Sequence, residues 1–343
     1  MPLPNPSPPG DAVHFACTTI AAGAPALAKN LRMWPRADHC HIAFDRKTRL
    51  ESLPAIEANW IRFTDVPATD YDRLCPWDSY SRKNIAFIGA ARAGARFIFE
   101  TDDDNELTVD YPTLAARTAL FDTTVTAAAH AGTVNLFAEI YHTVDGNVWA
   151  RGFPLRHIET RHTAEETLDC RPGVVQFLVD GNPDVDAIFR LVRGAHLDMQ
   201  VNRRALPLAI ANAFHPFNSQ ATLWPRELFA LMYLPSSCPF RMTDIWRGYI
   251  AQRILQERGR CVLFEGPVVR QLRNEHAIYD DFFDEHPGYV QSEQVIETLR
   301  ATDLSRCDTL DDMLLACYQS LTRAGVFDRR ESILLRAWCE AIA

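Results

Sequence analysis

Residues 79–105 read SYSRKNIAFIGAARAGARFIFETDDDN, and this stretch decides the fold class. Ser79 suits an N-cap, Ile85, Ile88 and Ala91 share one helical face, and Gly94 stands where a C-terminal glycine belongs, so 79–94 is predicted to be a helix. ARFIFE (95–100) follows as a buried strand. Upstream, VHFACTTI (13–20), HCHIAF (39–44) and WIRFTDV (60–66) have strand patterns, and the alanine- and leucine-rich segment ending at Trp34 reads as a helix. Strand, helix, strand at this spacing predicts an α/β chain with a parallel, doubly wound sheet. Ligands of such sheets sit outside the carboxyl ends of the strands, which is where the acids after FIFE fall.

Glu100, Asp102, Asp103 and Asp104 crowd five positions. Two unit charges about 4 Å apart interact by roughly 4 kcal/mol at an effective dielectric of about 20, so the cluster calls for a cation or for solvent. A helix start is disfavoured by ELTVDYP, which is β-like and contains Pro112. An EF-hand also fails, because the glycine and glutamate that such a loop requires are Leu107 and Thr113 here. Two readings remain: a solvated acidic turn, or a D-x-D site in which Asp102 and Asp104 hold Mg²⁺ or Mn²⁺ together with a substrate's phosphates.

The rest of the chain bounds the answer. Its 343 residues are 47% hydrophobic and carry a net charge of −9, a balance that argues against a nucleic-acid binder. Nine cysteines without a C-x-x-C pair read as reduced thiols. No apolar run has the length of a membrane span, so a soluble, cytoplasmic protein is expected. TDIWRGYIAQRILQERG (243–259) is a second strong helix, with Thr243 as N-cap and Gly259 as stop. Residues 1–11 read as a flexible proline-rich leader, 12–291 as the main α/β domain and 292–343 as a C-terminal helical extension.

Several blocks resemble the STELLO-type glycosyltransferase-like proteins, in the same order along the chain. They are PWDSYSRKNIAFIGAARAGARFIFETDDDN, VNLFAEIYH, VWARGFPL, VVQFLVDGNPDVDAIFRLVR, ALPLAIANAFHPFNSQATLWP and RMTDIWRGYIAQRILQERG, spanning roughly residues 75 to 260. The same segments more distantly resemble the UDP-arabinopyranose mutases, or reversibly glycosylated proteins, which carry a comparable acid triplet and an R-G-aromatic-P motif. Plant STELLO proteins are Golgi membrane proteins with a degenerate acid motif, whereas DDD is intact here. The resemblance implies a GT-A-like (Rossmann-like) nucleotide-sugar fold, a metal-dependent glycosyltransferase, a nucleoside-diphosphate sugar (a UDP-sugar is expected) as donor and a glycan or small molecule as acceptor.

Carried onto this chain, that implies Asp102 and Asp104 as metal and diphosphate ligands, with Asp103 nearer the ribose and His276 as a further metal ligand. Thr18, late in the first strand, and Asp45, after the second, join the donor site. Arg82 and Lys83 open a helix and suit phosphates, since helix N-termini favour anions. Asp244, in the first turn of the TDIWRG helix, is the expected acceptor-activating base, and Arg247 a partner for a substrate carboxylate or phosphate. Arg151 in ARGFPL matches the mutase arginine that becomes glycosylated. A mutase working through a sugar–Arg151 adduct and a non-catalytic scaffold therefore stand beside the transferase. Asp38, His39, Cys40 and His41 sit at a strand entrance where alternate side chains point to opposite faces, so they do not share one metal.

Overall fold

The computed structural model describes residues 13–19, 25–48, 56–61, 69–141, 147–159, 166–194, 197–272 and 277–343, with only the backbone of 130–131. The expected leader and His276 lie outside them. Ten strands form one mixed sheet: β1 (Val13–Thr19), β2 (Cys40–Phe44), β3 (Asn59–Ile61), β4 (Phe97–Thr101), β5 (Asn105–Leu107), β6 (Val125–Thr133), β7 (Glu166–Val179), β8 (Leu208–Phe214), β9 (Ala221–Pro225) and β10 (Arg260–Gln271). Their order is β3-β2-β1-β4-β9-β7-β6-β8-β10-β5, with β7 also pairing β10. The first four strands run parallel; β9 then joins β4 antiparallel. The α/β expectation holds, but only the first four strands are parallel throughout; beyond them β6–β8 and β7–β10 pair parallel and the other pairs are antiparallel.

The helices are α1 (Pro25–Met33), α2 (Asp70–Leu74), α3 (Lys83–Arg92), α4 (Tyr111–Ala116), α5 (Phe137–Ile140), α6 (Ala187–Arg193), α7 (Thr243–Glu257), α8 (Ile278–Ala301), α9 (Leu310–Arg323) and α10 (Glu331–Ile342). One core cluster joins the sheet to Leu27, Leu31 and Trp34 on the α1 side. The other joins it to α3, α7, α9 and α10. Helices thus cover both faces, as a sheet with an apolar surface on each side requires.

Local chemistry departs from expectation in three places. Ser79 accepts from the Ser81 amide at 3.3 Å and caps a 3₁₀ turn, Tyr80–Arg82, before the α-helix begins at Lys83. Thr243 is not the N-cap of α7: a preceding 3₁₀ turn, Phe240–Met242, runs straight into the helix, and Met242 stands at the cap. Helical structure near the C-terminus starts at Ile278 rather than around Ser292. The expected strand WIRFTDV is met at Trp60–Ile61 within β3, and its residues 62–66 lie outside the described residues. Gly94 ends its helix in the left-handed region, at φ 86°, where glycine is favoured. At Gly248 a Cβ would meet the Phe217 carbonyl oxygen at 2.5 Å, so α7 lies directly on the segment that carries the site.

At the amino end of β1 and β2, away from the acids, three buried imidazoles stack. His14 lies 4.1 Å from His39 and 5.3 Å from His41 between ring centroids, and His14 Nδ1 and His41 Nε2 share a hydrogen bond of 3.0 Å. Burial, with the neighbouring imidazoles, lowers His14 to about 3 and His41 to about 4. Because these folded values lie below the unfolded one, the stability tied to neutral rings is full above about pH 6.5 and is lost as pH falls toward the folded values. Removing one ring, as in His41→Leu, is expected to spare about 2 kcal/mol of the loss between pH 6.5 and 5. Urea unfolding at the two pH values measures it, and parallel pH slopes for both proteins would refute it.

None of the nine cysteines is in a disulfide. No helix among the described residues is long and apolar enough to cross a membrane.

Candidate functional site

The parallel register sets β1 beside β4, so Thr18 and Thr19 end next to the acids that follow Thr101. Thr19 Oγ1 donates to Asp103 Oδ2 at 2.5 Å. Asp102 Oδ1 accepts from the Tyr80 hydroxyl at 2.6 Å and the Lys83 ammonium at 2.8 Å. Asp104 accepts from Asn105 Nδ2 and Gln271 Nε2, both at 3.1 Å. Burial, and then the charge of Asp102, push the Asp104 carboxyl up to about 7.

Lys83 is fully buried. Besides Asp102, its ammonium donates to Ser219 Oγ at 2.7 Å and to the Ser219 carbonyl at 3.0 Å. Burial works against the charged form, but Asp102 and Glu100 outweigh it and raise the Lys83 pKa. Ser219 is the hub of the site: its hydroxyl donates to Glu100 at 3.0 Å and its amide to Asp244 Oδ2 at 3.2 Å. Sequence reading missed Tyr80, Ser219 and Asp184; the polar NSQ wedged between the apolar runs of β8 and β9 was the available signal for Ser219.

Asp244 and Arg151 meet as expected, but in a locked arrangement. Arg151 donates from Nη1 and Nη2 to the two Asp244 oxygens, each at 3.1 Å, and from Nε and Nη2 to Asp184 at 2.9 and 2.8 Å. Its remaining Nη1 hydrogen goes to the Arg241 carbonyl. All five guanidinium N–H groups are therefore used. Burial disfavours the cation, yet Asp184 and Asp244 outweigh it and hold the Arg151 pKa well above the ordinary value. A protonated, fully engaged guanidinium is not a nucleophile, which corrects the glycosylated-arginine expectation for Arg151.

Asp244 is equally saturated. Its oxygens also accept from the Ser219 and Ile245 amides, at 3.2 and 3.1 Å, so four bonds fill the roughly four lone-pair positions of a carboxylate. In this arrangement Asp244 holds Arg151 and has no position left for an acceptor hydroxyl, a correction to the expected base. Arg247 is corrected too: it is 1% exposed and donates to the buried Glu100 at 2.8 Å, out of reach of a substrate.

Thr18, Asp45 and Arg82 gather at the ends of β1 and β2. Thr18 donates to the Ala43 carbonyl at 3.1 Å. Asp45 accepts the amides of Arg46, Asp78 and Ser79 at 2.7, 2.9 and 3.2 Å. Arg82 donates to the Phe44 carbonyl at 2.9 Å and lies 3.8 Å over the Trp77 ring. Among the described residues no three His, Cys, Asp or Glu side chains converge as a metal cage. Asp102 and Asp104 nevertheless suit a hard cation that keeps phosphates and water as its other ligands: Asp104 is a crowded carboxyl whose proton such a cation would displace.

The sequence profile described as STELLO glycosyltransferases matches residues 241–342, from Arg241 through α10. Over that segment the chain is similar to the STELLO glycosyltransferases. Among curated relatives, it is 25% identical over 281 residues to "Probable glycosyltransferase STELLO1" of Arabidopsis thaliana, covering 77% of this chain and 36% of that protein. It is 26% identical over 239 residues to "Probable glycosyltransferase STELLO2" of the same plant, covering 66% of this chain and 31% of that protein. The chain thus spans about a third of the length of the relatives it matches. Its sheet is of the mixed α/β class, with parallel strands running into an acid cluster. A solved mannosyltransferase from Pyrobaculum calidifontis in complex with GDP-Man and Mn²⁺ overlaps it at a TM-score of 0.38 and 12% identity, over 97% of this chain and 80% of that one. Glucosyl-3-phosphoglycerate synthase from Mycobacterium tuberculosis overlaps at 0.37 and 11%, over 87% and 80%.

Proposed function

We propose that this chain is a glycosyltransferase domain that uses a nucleoside-diphosphate sugar, a UDP-sugar first, with Mg²⁺ or Mn²⁺ held by Asp102 and Asp104. The observation that carries this reading is the acid cluster at the carboxyl end of β4, built into a polar network with Lys83 and Ser219 rather than left as a solvated turn. The cation supplies neutralising charge for the leaving diphosphate. Lys83 holds Asp102 in place and adds positive charge beside it. Thr19 orients Asp103, and Thr18, Asp45 and Arg82 form the nucleoside end at β1 and β2. Asp244, Arg151 and Asp184 make a rigid, charged wall on the opposite side, whose groups bond one another and so set a fixed field beside the acceptor. A wall set before substrate arrives needs no reorganisation during transfer.

Calorimetry with UDP and GDP tests it. Binding is expected with Mn²⁺, and at least about tenfold weaker with chelator or in Asp102→Asn, a loss of roughly 1.4 kcal/mol or more. Equal affinity in all three conditions would sink the metal-dependent reading. Intact-mass spectrometry after incubation with UDP-glucose separates transfer from mutase chemistry: no sugar-sized gain is expected, since Arg151 has no open N–H. A stable gain mapping to Arg151 would reverse the ranking.

A further inference from the structure

Arg241 and Asp244 reach the site at the end of a strap, Tyr233–Pro239, that contains neither helix nor strand. The strap is held from two sides. On one side Asn84 of α3, the neighbour of Lys83, donates to the Leu234 carbonyl at 2.9 Å and accepts the Leu234 amide at 3.0 Å. On the other stands Glu331, the first residue of α10, which is fully buried. Its carboxylate accepts the Tyr233 hydroxyl at 2.5 Å, the Ser236 amide at 2.9 Å, the Ser236 hydroxyl at 3.2 Å and the Ser237 amide at 2.8 Å. Four donors replace the water that a buried carboxylate gives up, and removing them would leave the group at a large desolvation cost.

The strap in turn is bonded to the start of α7. The Pro239 carbonyl accepts the Met242 amide at 2.9 Å and the Thr243 hydroxyl at 3.3 Å, and Cys238 Sγ lies 3.4 Å from Thr243 Oγ1. Two residues of that start complete the coordination of Arg151: the Arg241 carbonyl and the Asp244 carboxylate. We propose that Glu331 is a positioning residue for the site. By fixing the strap it fixes where Arg241 and Asp244 stand, and through them the orientation of Arg151. The inference deepens the transferase reading and rests on it only where turnover is measured.

Glu331→Gln keeps the shape but turns one acceptor oxygen into an NH₂ that faces donors. Hydrogen-exchange mass spectrometry is expected to show exchange at Ser236–Ser237 rising about tenfold or more. Residues 241–246 are expected to follow by at least about threefold, with strand 97–101 unchanged. Calorimetry with UDP and Mn²⁺ should stay within about threefold of wild type, while turnover of UDP-glucose falls about tenfold through misplacement of the wall. Ser236→Ala removes a single bond to Glu331 and serves as the mild variant should Glu331→Gln not fold, with smaller changes in the same direction. A rise confined to 236–237, with 241–246 as in wild type, would overturn the proposal and leave Glu331 a local cap. If the wild-type protein turns over no nucleotide sugar, the transferase reading fails instead, and exchange at 241–246 still decides the role of Glu331.

Discussion

Glu100→Gln is expected to destabilise the fold by about 3–5 kcal/mol, because it leaves Arg247 as an uncompensated buried charge. The two side chains are 0% and 1% exposed and 2.8 Å apart. Glu100 also accepts from Trp224 Nε1 at 2.9 Å and from Ser219, so the substitution disturbs three bonds at once. Arg247 has little else to fall back on: its Nε and Nη1 are buried without hydrogen-bond partners, its Nη2 has besides Glu100 a long 3.4 Å bond to the Asn218 carbonyl, and the faces of Trp224 and Phe217 lie 5.0 and 5.7 Å away. Against a total stability of about 5–15 kcal/mol, such a loss should be plain in the urea midpoint. A change below about 1 kcal/mol would mean that the aromatic faces, worth up to about 2 kcal/mol when desolvated, already carry the cation.

Trp338→Ala is expected to cost a similar amount, about 3–5 kcal/mol, although it lies in the last helix of the sequence. The indole is fully buried among Tyr71, Phe87 and Tyr233. Its Nε1 donates to the Ala230 carbonyl at 2.9 Å, so truncation opens a cavity and strands an acceptor as well. Those ring partners come from α2, α3 and the strap, which makes α10 part of the packing around the site helices rather than an outer layer. Thermal unfolding should show one cooperative transition shifted down. A separate early transition for residues 278–343, with the sheet still melting as in wild type, would contradict this.

What could be read from the sequence was whatever is local. The helix–strand–acid run of 79–105 declares itself within one stretch, because helical spacing, a terminal glycine and an apolar strand are all short-range signals. The same holds for α7 and for the acid cluster as a candidate site. Pairing over distance was not readable. The mixed half of the sheet depends on contacts such as β10 with β5, and Lys83 finds Ser219 across 136 positions. Arg247 looked available to a substrate only because Glu100, 147 positions away, was not visible as its partner. For the same reason Asp244 and Arg151 were both recognisable as site residues, while their saturation by Asp184, Ser219 and each other was not.

The separation between Glu100 and Arg247 also has a meaning in time. Protein synthesis proceeds at about 5–20 residues per second, so the guanidinium is made roughly 7 to 30 s after the carboxylate it must neutralise. During that interval β4 has left the ribosome while β9, which flanks it, and α7, which covers it, are made late or not yet at all. The nascent chain then carries an open strand edge beside an unpaired acid, the form most exposed to wrong pairing and to chaperone capture. The charge of Glu100 works in its favour there, since an acid in an apolar strand discourages edge-to-edge association until its partner arrives.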